Sequence, residues 1–190
     1  MKPLILASQS PRRKQLLEQV QLPFSIQVSN VDENVLEKLP EDLVVSLAYQ
    51  KAAEVYRQFP TQVVLGADTI VTAGGEILGK PKDAQEAKNT LRKLSGTLHQ
   101  VLTGVAILSE EKEVTFVEKA DVQFFSLTEE EIEDYVKSGE PFDKAGAYGI
   151  QGIGATLVES IRGDYFTIVG LPIAKVVRAL REFPIQRDPF

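Results

Sequence analysis

The stretch Val63-Val-Leu-Gly-Ala-Asp-Thr-Ile-Val71 constrains the fold of this chain more than any other. It is almost wholly apolar and rich in β-branched side chains, as in a strand buried on both faces near the centre of a sheet. Asp68 interrupts it. A lone carboxylate in a buried strand is costly unless it is paired or put to use, which makes Asp68 a candidate functional residue. A second apolar run, Leu4 to Ala7, is short and lacks helical periodicity, and reads as another buried strand.

The residues directly after Ala7 carry chemistry. Ser10 and Pro11 read as an N-cap and a first-turn proline, so a helix opens there and continues through Lys14, Leu16, Leu17 and Val20. A strand leading by a short turn into a helix leaves free backbone N–H groups and the positive end of the helix dipole at the turn. Ser8, Ser10, Arg12 and Arg13 surround that spot. Hydroxyls and guanidinium forks together suit an anion with many oxygens, above all a phosphate chain.

The remaining segments alternate. Phe24 to Val28 reads as a half-buried strand, leading into an acidic turn at Val31-Asp-Glu-Asn34. Pro40 to Phe59 reads as a long helix, with Lys51 set late in it on an apolar background. Gly74-Gly75 marks a hairpin turn. The run Gly74 to Lys80 matches the opening of a P-loop, but Pro81 stands where a metal-binding Ser or Thr is required, and Glu76 to Leu78 suit a strand. Lys80-Pro81 is better read as closing the hairpin and aiming the lysine at the same site as Asp68.

Asp83 with Glu86 and Thr128 with Glu131 form capping boxes for helices that stop at Gly96 and Gly139. Between them His99 to Leu108 and Glu113 to Phe125 read as long β segments. Lys144 to Gly152 is rich in glycine, lacks a dinucleotide-binding spacing, and suits a loop that folds over something. Ala155 to Ile161 and Tyr165 to Val169 read as strands, and a last helix ends before Pro184. The expected class is α/β with a mixed sheet, in a single domain over residues 1–190 whose two lobes leave a cleft for a ligand.

Composition excludes several functions. With 190 residues, 43% of them hydrophobic, the chain can bury a sizeable core. It has no cysteine, hence no disulfide, thiolate nucleophile or cysteine metal site, and one histidine argues against a catalytic triad or a multi-histidine metal centre. A net charge of −6 argues against a protein that grips nucleic acid, although basic residues cluster locally. The short apolar run at the amino terminus is no signal peptide, and no stretch reaches membrane-spanning length; a cytoplasmic location is expected.

Five blocks then carry a family resemblance: Ser8-Gln-Ser-Pro-Arg-Arg13, Gly66-Ala-Asp-Thr69, Gly79-Lys-Pro81, Lys144-Ala-Gly-Ala-Tyr-Gly-Ile-Gln-Gly152 and Gly170-Leu-Pro172. In this order, over essentially the whole chain, they resemble the Maf proteins, and within them the branch that hydrolyses dTTP and UTP. The resemblance implies a divalent-metal-dependent nucleoside triphosphate pyrophosphatase that releases a nucleoside monophosphate and pyrophosphate. It also implies a fold shared with inosine triphosphatases, with a long mixed sheet flanked by helices and two lobes around a central cleft, and a homodimer. Family members are further linked to cell-division arrest when overproduced.

The residues fit that chemistry. Attack of water on the α-phosphorus needs a base, a metal ion and cations for the charge spread over the triphosphate. Carried over from the family block, Asp68 is the proton acceptor. Asp68 and Glu33 are the carboxylates expected to hold Mg²⁺ or Mn²⁺. Ser8, Arg12, Arg13, Lys51 and Lys80 supply phosphate donors. The amide of Gln151 can pair with the imide edge of uracil or thymine, and Arg12 and Thr69 are the other family positions tied to substrate choice. A non-catalytic nucleotide-binding regulator would share the phosphate site but needs no carboxylate beside it. The expected partner is a pyrimidine nucleoside triphosphate, with neither nucleic acid nor membrane.

Overall fold

The computed structural model describes residues 1–31 and 39–185. Its strands are β1 (Leu4–Leu6), β2 (Phe24–Ile26), β3 (Val63–Ala73), β4 (Glu76–Leu78), β5 (Leu98–Leu108), β6 (Glu113–Phe124) and β7 (Val158–Gly163). They form a seven-stranded sheet in the order β2-β1-β3-β5-β6-β7, with β4 paired to β3. β1 runs parallel to both β2 and β3, whereas β4 is antiparallel to β3 and β7 to β6, so the sheet is mixed. The helices are α1 (Pro11–Gln19), α2 (Pro40–Gln58), α3 (Ala84–Leu94), α4 (Glu129–Lys137), α5 (Tyr165–Val169) and α6 (Ile173–Leu180). The α/β class with a mixed sheet expected from the sequence is the class observed. Among the described residues, no helix is long and apolar enough to cross a membrane.

Two compact units divide the chain: residues 1–68, 103–118 and 170–190, and residues 69–102 and 119–169. Each has its own core. In the first, Ile5, Ala7, Val64, Ala106 and Leu108 pack with Ala48, Ala52 and Val55 of α2. In the second, Leu91 and Leu94 of α3, Ile132, Tyr135 and Val136 of α4, and Val101, Val122 and Phe124 of the strands enclose Ala147 and Tyr148 of the glycine-rich stretch.

The small residues of the first core are there for a geometric reason. A Cβ on Gly66 of β3 would stand 2.4 Å from the Ala48 carbonyl oxygen and 2.9 Å from the Ala52 Cβ. A Cβ on Gly104 of β5 would stand 2.3 Å from the Val44 carbonyl oxygen. Helix α2 therefore lies with its backbone directly on two strands, a closeness that glycine on the sheet permits, with alanines on the helix opposite Gly66.

Three sequence expectations are corrected. Tyr165 to Val169 is a helix and not a strand: the Asp164 carboxylate accepts the Thr167 N–H at 2.8 Å and its hydroxyl at 2.8 Å, the work of an N-cap. A five-residue apolar run carries too little periodicity to separate the two states, and the Asp-x-x-Thr cap is the signal that decides it. The preceding strand starts later than expected, because Gly152–Leu157 forms 3₁₀ turns before β7. Of the two capping boxes, Thr128 and Glu131 form theirs in full. Asp83 caps α3 through the Glu86 N–H at 2.8 Å, but Glu86 reaches back to the Lys82 N–H at 2.9 Å, one residue before the cap.

Gly66→Ala should expose how much depends on the α2 approach. The added methyl collides with backbone and cannot be relieved by a rotamer change, so a loss of about 3 kcal/mol or more is expected. Urea unfolding measures it, and a midpoint equal to the wild type would show that α2 is not seated as described.

Candidate active site

The amino-terminal turn is built as the sequence suggests, and more tightly. Ser10 caps α1 by accepting the Arg13 N–H, and Ser8 Oγ accepts the Ser10 N–H at 3.1 Å. Arg13 is only 9% exposed. Its Nη1 donates to Ser8 Oγ at 3.2 Å and its Nε to the Gly170 carbonyl at 2.8 Å. One guanidinium thus ties the first sequence block to the last, Gly170-Leu-Pro172, and fixes the helix start where an anion would meet N–H groups. Arg12, next to it, is half-buried.

Asp68 is paired. Its Oδ1 lies 2.6 Å from Lys51 Nζ, with the side chains 14% and 17% exposed. The pairing follows from two periodicities. Along β3, Asp68 is two residues beyond Gly66 and shares its face; along α2, Lys51 follows Ala48 by three and precedes Ala52, so all three share a face. The face that brings helix backbone onto the strand therefore also brings ammonium to carboxylate. Thr69, half-buried, follows Asp68 on β3 and by alternation has the opposite face.

The other candidates belong to the second unit. Lys80 is exposed, and the Gly79 carbonyl before it accepts the Gly146 N–H at 3.1 Å, which joins the Gly79-Lys-Pro81 block to the glycine-rich block. That block is no open loop. It folds through 3₁₀ turns at Glu140–Asp143, Ala145–Ala147 and Gly152–Leu157, and leaves Gln151 exposed between the last two. Tyr148 anchors it: the ring is buried edge-on against Phe124 and His99, and its hydroxyl meets His99 Nε2 at 2.7 Å. The Tyr148 phenol is pushed up by burial and by the neighbouring Tyr135. Sequence reasoning missed His99, Tyr135 and Glu140 as parts of this scaffold. The only legible signal was a histidine flanked by apolar β residues, which does not name its partner.

Glu33 lies outside the described residues. Among the described residues, no group of three or more His, Asp or Glu side chains is placed to hold a metal ion. A single hard carboxylate, Asp68, still suits Mg²⁺ or Mn²⁺, which bind through one or two protein oxygens and the phosphate oxygens of a substrate.

A family model described as Maf-like protein matches residues 3–183. The chain belongs to the Maf family. Over 184 residues it is 58% identical to the dTTP/UTP pyrophosphatase of Bacillus mycoides, covering 96% of each chain. Over 187 residues it is 56% identical to the dTTP/UTP pyrophosphatase of Bacillus cereus, covering 98% of each. The Ham1 protein of Staphylococcus aureus, a solved structure, superimposes with a TM-score of 0.44 at 13% identity, over 66% of this chain and 73% of that one.

The buried histidine gives this Maf chain a pH dependence. Burial holds His99 neutral and lowers its pKa to about 4. Below pH ~6.5 the unfolded chain takes up a proton that the folded chain refuses. Its contribution is thus intact above pH ~6.5 and is lost as pH falls toward 4, by roughly 2–3 kcal/mol. Urea unfolding at pH 7 and pH 4 should show a smaller difference for His99→Gln than for the wild type. Equal differences would mean that His99 is protonated in the fold.

Proposed function

We propose that the chain is a nucleoside triphosphate pyrophosphatase that cleaves dTTP and UTP to the nucleoside monophosphate and pyrophosphate. The observation that carries this reading is the carboxylate of Asp68, held by Lys51 at 2.6 Å inside an otherwise apolar strand. A chain 58% identical over nearly its whole length to a protein named dTTP/UTP pyrophosphatase supplies the context.

In this reading Asp68 takes the proton from a water as its oxygen bonds to the α-phosphorus, and the bond to the β-bridging oxygen breaks as pyrophosphate leaves. Lys51 fixes the direction of the carboxylate and, with Ser8, Arg12, Arg13 and Lys80, donates to phosphate oxygens. Arg13 serves this in part indirectly, since two of its nitrogens already hold Ser8 and the Gly170 carbonyl. Asp68, with Glu33, would hold a divalent Mg²⁺ or Mn²⁺. Such an ion supplies charge neutralisation at the phosphate oxygens. Gln151 reads the imide edge of uracil or thymine, with Thr69 and Arg12 contributing to the choice of substrate. The family resemblance also implies a homodimer, and a cytoplasmic location remains the expectation.

Asp68→Asn keeps the shape of the side chain but cannot take the proton, and it breaks the charge pairing with Lys51. Turnover should fall on the order of 10² to 10⁴-fold with the circular dichroism spectrum retained. A variant keeping more than about a tenth of wild-type turnover would remove Asp68 from the role of base.

A panel of triphosphates assayed with Mg²⁺ tests the substrate. The expected products are monophosphate and pyrophosphate, and dTTP and UTP should exceed CTP and the purine triphosphates by at least roughly tenfold in kcat/KM, since a mismatched edge leaves paired donors and acceptors unsatisfied. Diphosphate plus orthophosphate, or equal rates on UTP and CTP, would overturn the corresponding half of the reading.

A further inference from the structure

We propose that Glu140 and Tyr135 are positioning residues for base selection, acting by pinning the segment that carries Gln151 on both sides. The proposal rests on the reading of Gln151 as the group that meets the base edge.

The Glu140 carboxylate makes the pin after Gln151. Its Oε1 accepts the Ile153 N–H at 2.8 Å and its Oε2 accepts the Gly154 N–H at 3.0 Å. Ile153 is the second residue after Gln151. The second residue before it, Gly149, donates its N–H to the Tyr135 hydroxyl at 3.2 Å. That hydroxyl also lies against the far flank, since a Cβ on Gly154 would stand 2.7 Å from it. Each flank of Gln151 is thus pinned by its own side chain, Gly149 N–H by the Tyr135 phenol and the amides of Ile153 and Gly154 by the Glu140 carboxylate.

Both pins are rigid. Tyr135 is 2% exposed in the second core, and burial first, then the Glu140 charge, raise its pKa, so it stays a neutral phenol that accepts the Gly149 N–H. Glu140 is held from its other end, where Lys144 Nζ donates to its backbone carbonyl at 2.6 Å and to Asp143 Oδ1 at 2.6 Å. No slack remains between the flanks. A Cβ on Gly152 would lie 2.1 Å from Glu140 Oε1, and one on Gly154 would lie 2.1 Å from the Gly149 carbonyl oxygen. Yet Gln151 itself is exposed. A fixed backbone with a free side chain is what a directional reader needs, because a planar amide discriminates only when its donor and acceptor are aimed. Charge-assisted bonds to two amides also resist competition by water better than neutral ones.

Glu140→Gln tests the proposal with little change of volume, because its NH₂ meets a backbone N–H that needs an acceptor. The UTP-over-CTP ratio of kcat/KM should fall by about fivefold to tenfold, the scale of one misplaced hydrogen-bond pair. The loss should lie in KM for UTP, with kcat changed by less than about twofold, and the Ile153 and Gly154 amides should exchange faster with solvent. Tyr135→Phe, which removes only the hydroxyl, should move the ratio in the same direction by roughly twofold to threefold, and it decides the matter if Glu140→Gln does not fold. An unchanged ratio in both folded variants, while Gln151→Ala abolishes the preference, would overturn the pin and leave the reading of Gln151 standing. A parallel fall of kcat on UTP and CTP would reduce Glu140 to a brace and also overturn it. If Gln151→Ala leaves the ratio unchanged, the reading of Gln151 fails, and the proposal fails with it.

Discussion

Direct contact between the α2 backbone and two strands is the constraint on which the first unit depends. At 2.3–2.4 Å from a hypothetical Cβ, the Val44 and Ala48 carbonyls leave no room for any side chain at Gly104 or Gly66. Ordinary packing of one element on another interposes a layer of side chains between backbones, as stacked sheets do at about 10 Å. Removing that layer shortens the distance over which a lysine on the helix must reach a carboxylate on the strand. Lys51 and Asp68 meet at 2.6 Å because Ala48, Ala52 and Gly66 carry almost nothing between them. The apolar core and the charged pair are two consequences of the same closeness.

Across both units, the chemistry-bearing segments are tied to backbone more than to each other's side chains. Arg13 reaches a carbonyl 157 residues away in sequence, Gly79 takes an N–H from Gly146, and Glu140 takes two from Ile153 and Gly154. Backbone partners do not change rotamer, so groups anchored this way keep their direction when a ligand arrives. They also explain why the family blocks are rich in glycine and proline: each block is a place where main chain must come close to a polar side chain or to other main chain.

Legibility in the sequence followed the range of the interaction. β1, the cap at Ser10 and Pro11, α2, the Gly74-Gly75 hairpin and the Thr128–Glu131 box were readable because period, cap and turn chemistry are local. Asp68 stood out because a charge in a β-branched run violates the local pattern. Its partner did not: Lys51 was expected as a phosphate donor on an apolar helix, and nothing in the sequence says which strand that helix will touch. The error at Tyr165–Val169 has the same origin in miniature, since five apolar residues fit either state and Asp164 settled it by a cap three residues long. Glu140 was illegible for a stronger reason. Its acceptors are spent on amides of a 3₁₀ turn that periodicity does not predict.

The pairing of Lys51 with Asp68 is a poor way to stabilise a fold, and that bears on why it is there. Both side chains are more than four-fifths covered, so each gives up most of its hydration, and the Coulomb attraction between them does little more than offset that cost. Apolar residues of similar size would serve the strand and helix equally well or better, as the alanines and valines on either side already do. A surface pair in contrast, such as Arg92 with Glu129, loses little hydration and contributes little. A covered pair of so little net benefit to the fold, with 14% of the Asp68 side chain still open, fits the proposed role of that carboxylate as the base. In that proposal the lysine fixes its direction, the close-packed helix fixes the lysine, and the remaining exposure leaves an edge on which a water molecule and a phosphate oxygen can be met.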